Sequence, residues 1–128
     1  MPLDPQAQAL CDMMNAARIE YPPGQRVEMS RTGWGLYLQM AGGTPEPVFA
    51  VEDRDADGIP VRVYRPSPDP NLPIVVVFHG GGWVIGTMEQ YDLTARQLAN
   101  ASNAIVVSVD YRLAPEHPFP APLDDCWH

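Results

Sequence analysis

The chain has 128 residues, 45% of them hydrophobic, with eight basic against sixteen acidic side chains and a net charge of −8. This is the composition of a globular domain that buries roughly two-thirds of its unfolded surface, and it excludes nucleic-acid binding and docking on anionic membranes, which need basic clusters. Cys11 and Cys126 form neither a disulfide framework nor a zinc spacing, no apolar run reaches the length of a membrane span, and the start at Met1 lacks the regions of a signal peptide, so a cytoplasmic location is expected.

Asp4 is placed to cap a helix with Pro5 at its first position. Ala7, Leu10, Cys11 and Met14 repeat at the spacing of one helical face, and Pro22-Pro23-Gly24 stops the helix. Trp34, Tyr37, Leu38 and Ala41 repeat that spacing in a second helix from about Ser30, ended by Gly42-Gly43, with Gly33 and Gly35 working against it. Residues 1–45 are expected to form a helical arm and residues 46–128 a separate core.

Past Pro47 the period changes to two. Phe49, Val51 and Asp53 alternate with Val48, Ala50 and Glu52; Asp57-Gly58 is a hairpin signal; Val61, Val63 and Arg65 alternate with Arg62 and Tyr64. These strands should pair antiparallel. Ile74 to Phe78 is apolar without alternation, the pattern of a strand buried on both faces. A helix over about Gln90 to Ala101 places Tyr91, Ala95, Leu98 and Ala99 on one face, and Ala104 to Val109 is a second strand of the buried type. Strand, helix, strand makes a right-handed βαβ unit. Asp110 to Pro122 is a proline-broken loop, and Leu123 to His128 begins a further helix. The expected class is α/β, an antiparallel hairpin leading into a mostly parallel sheet.

The buried-type strand runs directly into His79-Gly80-Gly81-Gly82-Trp83. Three readings fit the glycines. They can make a tight strand-to-helix turn, since glycine accepts positive φ. They can cradle a phosphate, with Asp110 at the tip of the next strand. Ile85 occupies the position where G-x-G-x-x-G needs its third glycine, although Gly82 and Gly86 do form G-x-x-x-G. Or they can present bare N–H groups to a carbonyl oxygen that gains negative charge during acyl transfer. A metal site from His79, His117 and His128 has the residue types but no ligand spacing.

The His79–Trp83 stretch, together with Asp110-Tyr111-Arg112-Leu113-Ala114-Pro115-Glu116-His117-Pro118-Phe119-Pro120-Ala121, resembles the paired signatures of the hormone-sensitive-lipase-like, HGGG-type esterases of the α/β-hydrolase family. The resemblance implies the N-terminal portion of an α/β-hydrolase fold and carboxylic ester hydrolysis of short-to-medium acyl esters without a cofactor. It makes the N–H groups of Gly81 and Gly82 oxyanion donors and lets Gly80 shape the turn. His79 then braces the loop rather than serving as base, and Trp83 packs beneath it. A plain strand-end histidine and a plain core tryptophan are the simpler readings of those two. Arg112 and Glu116 would form local pairs, with Asp110 and His117 structural. Trp34, Tyr37 and Met40 in the arm would line the acyl pocket or merely pack.

That family needs a serine on a G-x-S-x-G elbow, then an acid, then a histidine; no such elbow occurs here, and family members are more than twice this long. The expected partners are an ester substrate and either the remainder of the hydrolase fold or a second copy. In this fold the Ile74–Phe78 strand lies between the Ile105 strand and the nucleophile strand, so its outer edge would be open. Rival functions on the same residues are a non-catalytic small-molecule receptor on this scaffold, a nicotinamide-dependent reductase, and a truncated product.

Overall fold

A computed structural model describes residues 3–16 and 20–128, without the side chains of Met14 and Ala41, which the spacing assigns to the two helical stripes. Helix α1 is Pro5–Ala16 and α2 is Arg26–Gly42. Strands β1 (Ala50–Ala56), β2 (Ile59–Arg65) and β3 (Ile74–Phe78) follow, then α3 (Asp92–Ser102), β4 (Ile105–Val109) and α4 (Ala121–Trp127). No helix among the described residues is long and apolar enough to cross a membrane.

The Asp4 carboxylate accepts the Gln6 amide at 2.8 Å, so the expected cap of α1 is present. Ala7, Leu10 and Cys11 are nevertheless exposed, so nothing among the described residues covers that stripe. Helix α2 begins four residues before Ser30, because the Pro22–Gln25 turn feeds it directly: Gln25 N bonds Pro22 O, and Met29 N bonds Gln25 O. Gly35 has a packing reason to be glycine. A Cβ there would come within 2.8 Å of the Gln90 side-chain nitrogen.

The sheet order is β1-β2-β4-β3. β1 and β2 pair antiparallel with Arg54 opposite Val61, as expected, and both hairpin residues, Asp57 and Gly58, take the positive φ of a tight primed turn. β2 pairs antiparallel with β4, Val63 opposite Val107, and β4 pairs parallel with β3, Val107 opposite Val76. Parallel register brings the ends of β3 and β4 to one side of the sheet, the side on which α/β folds seat ligands.

Helix α3 covers one face. Ala95 and Ala99 press against Tyr64 and Val106, flanked by Val75, Val77 and Leu98. Arg62 ties the hairpin to the start of α3 through Asp53 and Glu89. On the other face Val61, Val109 and Tyr111 form a second cluster with Leu113 and with Cys126 of α4. β4 is buried as the sequence implies. β3 is not: Ile74, Val76 and Phe78 are exposed, because β3 has a neighbour on one edge only and nothing described stands over those three side chains.

Candidate active site

His79 leaves the end of β3 and is only 4% exposed. Its ring is stacked on Tyr111 at 4.3 Å between centroids, with Tyr91 stacked at 5.5 Å. The Tyr111 hydroxyl donates to the His79 carbonyl. Burial pushes that phenol up to about 12, so it remains a neutral donor at physiological pH. Nδ1 of His79 lies 3.0 Å from the Gly80 carbonyl, which can only accept, so Nδ1 carries the hydrogen. Nε2 is buried and has no partner among the described residues. The imidazole thus braces the chain at the root of the loop.

The next two peptide planes set the loop's chemistry. The Gly80 carbonyl accepts from His79 Nδ1 at 3.0 Å and from the Tyr91 hydroxyl at 3.3 Å. A trans peptide holds its N–H opposite to its C=O. The Gly81 N–H, in the same plane, therefore points away from those two rings. The Gly81 carbonyl accepts from Val84 N at 3.2 Å and Ile85 N at 3.0 Å, which turns the Gly82 N–H away from the Val84–Ile85 backbone. No acceptor among the described residues meets either amide. Two adjacent donors with pinned carbonyls and free N–H groups can bind a developing anion without reorganising.

The glycines are not equivalent. Gly81 has φ +136, and a Cβ would overlap the Ile85 carbonyl. Gly82 has φ +60, and a Cβ would meet open space. At Gly80 a Cβ would stand 3.2 Å from the Tyr91 hydroxyl. Gly86, noted in the sequence only for its spacing from Gly82, crosses over His79; a Cβ there would come within 2.5 Å of Nδ1. Packing explains that glycine.

Trp83 departs from expectation. It is 49% exposed, meets Tyr111 edge-on at 5.3 Å and takes φ +64. Its carbonyl does the anchoring, accepting Ala114 N at 2.8 Å. Arg112 pairs not within its loop but with Asp125 of α4, 13 residues on: Nη2 to Oδ1 is 2.6 Å, and the backbone N–H reaches Oδ2 at 2.9 Å. Glu116 does not pair locally. Its carboxylate meets Arg31 of α2 at 2.7 and 2.8 Å, which sequence spacing gave no means to anticipate. Asp110 accepts the Met88 amide at 3.0 Å, a structural bond.

In the arm, Trp34 is half-buried and stacks on Tyr37 at 5.5 Å, whereas Tyr37 and Met40 face outward, Met40 at 88% exposure. The cavity of about 340 Å³ beneath α2 is lined instead by Gly35, Leu38 and Gln39 with Gln90 and Leu93. No group of three or more metal-ligating side chains comes together among the described residues; His128 lies beside Asp57, and His117 is exposed. Tyr91, Tyr111 and Arg31 are the site residues sequence reasoning missed. Tyr111 stood inside a quoted signature without a role, and Tyr91 on a helical face.

A family model described as the α/β hydrolase fold matches residues 75–128. The chain is 43% identical to the carboxylesterase NlhH of Mycobacterium tuberculosis, over 98% of this chain and 40% of that protein. It is 34% identical to an arylesterase of Saccharolobus solfataricus, over 100% of this chain and 43% of that protein. Among solved structures, a hyperthermophilic esterase from the archaeon Pyrobaculum calidifontis superposes with a TM-score of 0.81 at 42% identity, covering 99% of this chain and 42% of that one. The chain thus spans about two fifths of the length of the relatives it matches.

Proposed function

Because the chain belongs to the α/β-hydrolase family, as the N-terminal portion of its esterases, we propose that it supplies the oxyanion hole of a serine-dependent carboxylic ester hydrolase acting on short-to-medium acyl esters. The observation that carries this reading is the pair of outward amides at Gly81 and Gly82, unpartnered among the described residues and each fixed by the bonds of its own peptide carbonyl.

In the complete enzyme a serine from outside these residues attacks the ester carbonyl, and a histidine takes its proton. The carbonyl oxygen gains charge as it becomes tetrahedral, and the two amides stabilise it there more than in the planar substrate. His79, sandwiched and hydrogen-bonded to main chain, holds the loop. Residues 1–45 act as a cap arm, with exposed Tyr37 and Met40 offered to the acyl group. The partner of the open β3 edge is the remainder of the hydrolase fold.

The test is Gly82→Ala in the complete protein. The added Cβ meets no atom of the described residues, so folding is penalised only through the left-handed backbone, by roughly 1 kcal/mol. The variant keeps its N–H, but the Cβ takes up the open space beside the loop in which the oxyanion sits, and turnover of a p-nitrophenyl ester should fall by about 10²-fold, as much as if one such donor were lost. Unchanged turnover in a folded Gly82→Ala protein overturns the assignment. Gly81→Ala, whose Cβ collides with backbone, should lose both the loop and activity.

A further inference from the structure

We propose that Arg31 is a positioning residue for the glycine loop: through two peptide planes joined end to end it sets the direction of the Gly82 amide, coupling the seating of α2 to the anion-binding geometry. The functional consequence rests on the ester-hydrolase reading; the relay itself is carried by the hydrogen bonds.

Arg31 lies on the inner side of α2, its side chain 33% exposed. Nε donates to the Val84 carbonyl at 2.9 Å. The same peptide plane ends in the Ile85 N–H, which donates to the Gly81 carbonyl at 3.0 Å. That second plane ends in the Gly82 N–H. Each trans peptide stays planar to within about 10–15°, so a tilt applied at the Val84 oxygen reaches the Gly82 nitrogen. From Arg31 the relay crosses two hydrogen bonds and two rigid plates.

The other arms of the guanidinium hold its position. Nη2 donates to the Ala114 carbonyl at 3.1 Å, and Nη1 and Nη2 clasp the Glu116 carboxylate at 2.8 and 2.7 Å. Ala114 in turn donates its N–H to Trp83 O. One planar fork therefore joins three segments: the arm, the glycine loop and the Asp110–Pro120 loop. A lysine offers a single ammonium and cannot reproduce that fork. The Arg31 guanidinium holds the Glu116 carboxyl down at about 2, so the pair stays charged across the ordinary pH range. An arm that lifts takes Nε off the Val84 carbonyl and releases the first plane.

The test compares Arg31→Gln, Arg31→Lys and Glu116→Gln in the complete protein. Two readouts are needed: amide hydrogen exchange across residues 80–86, and kcat and KM for a p-nitrophenyl ester. Arg31→Gln should raise exchange in residues 80–86 and lower kcat about tenfold while KM moves less than about twofold, as expected when a reacting geometry is loosened without loss of a substrate contact. Arg31→Lys should retain most of that loss. Glu116→Gln keeps both carbonyl contacts and should cost less than about threefold.

Exchange that changes in α2 alone, full kcat in Arg31→Lys, or a Glu116→Gln loss as large as that of Arg31→Gln would each overturn the relay. If Arg31→Gln does not fold, the lysine and glutamine variants still decide. A parent protein that hydrolyses no ester defeats the hydrolase reading, while exchange in residues 80–86 continues to judge the relay.

Discussion

β3 and β4 are nearly the same sequence, Ile-Val-Val-Val-Phe against Ile-Val-Val-Ser-Val, and they lie side by side in parallel register. β4 is buried at four of its five residues, with Val107 half-buried, while every second residue of β3 is exposed. Composition set the demand for cover in both strands; position in the sheet met it in only one. β4 has β2 on one edge and β3 on the other, with α3 above Val106 and α4 beside Val109. On the same side of the sheet, Val76 and Phe78 form a wall of an open apolar cavity of about 350 Å³. The far edge of the sheet makes the contrast sharper. β1 is also outermost, but it carries Glu52, Asp53, Arg54 and Asp55, side chains suited to water. One edge is finished as a surface and the other as an interior.

The largest effect should come from breaking the covered strand. Val106 is 0% exposed, and Val106→Asp puts an unpaired carboxylate against Tyr64 and Ala99. That cost exceeds what a domain of this size has to lose, roughly 5–15 kcal/mol, so the cooperative thermal transition should vanish. Val76→Asp in the other strand should keep the transition, because Val76 is already 52% exposed. Equal damage from both would show that β3 is covered after all.

The second effect is on association. The isolated chain should run in light scattering above its 14.1 kDa monomer mass, because unpaired N–H and C=O groups beside apolar side chains template pairing. Val76→Asp should move it toward monomer. A parent chain that is monomeric and melts cooperatively would contradict this account of the edge.

The smallest effect concerns α4, which gives β4 part of its cover. Arg112 holds the Asp125 carboxyl below its ordinary range. A depressed folded value means the pair adds stability above the unfolded value of about 4 and loses it as pH falls through the lower folded one. Asp125→Asn should therefore lower Tm by a few degrees at neutral pH and flatten the acid dependence of Tm below about pH 4. Unchanged acid dependence would separate α4 from the cover of β4.

Much of the fold was legible from local pattern. The Asp4 cap, the Asp57-Gly58 turn and the Ala95–Ala99 face of α3 each depend on a few neighbouring residues, and each formed where the pattern put it. The start of α2 was read late because its signal is a turn of backbone bonds at Pro22–Gln25 rather than an apolar repeat. The glycine loop announced itself, since three adjacent glycines at a strand end have few uses. Its supports did not. Tyr91, Gly86 and Arg31 reach the loop across 6 to 53 residues of sequence, and no spacing rule links a guanidinium on a helix to a carbonyl after a strand.

The sequence by itself determined which segments are helix and strand and where backbone must lie bare, because those follow from φ preferences and side-chain periodicity over a few residues. Only the tertiary structure decided which strand is covered, which glycine can bear a side chain, and which way the Gly81 and Gly82 amides point. Those depend on partners brought together by the sheet: Ile85 behind Gly81, Tyr91 under Gly80, and no described strand beside the outer edge of β3.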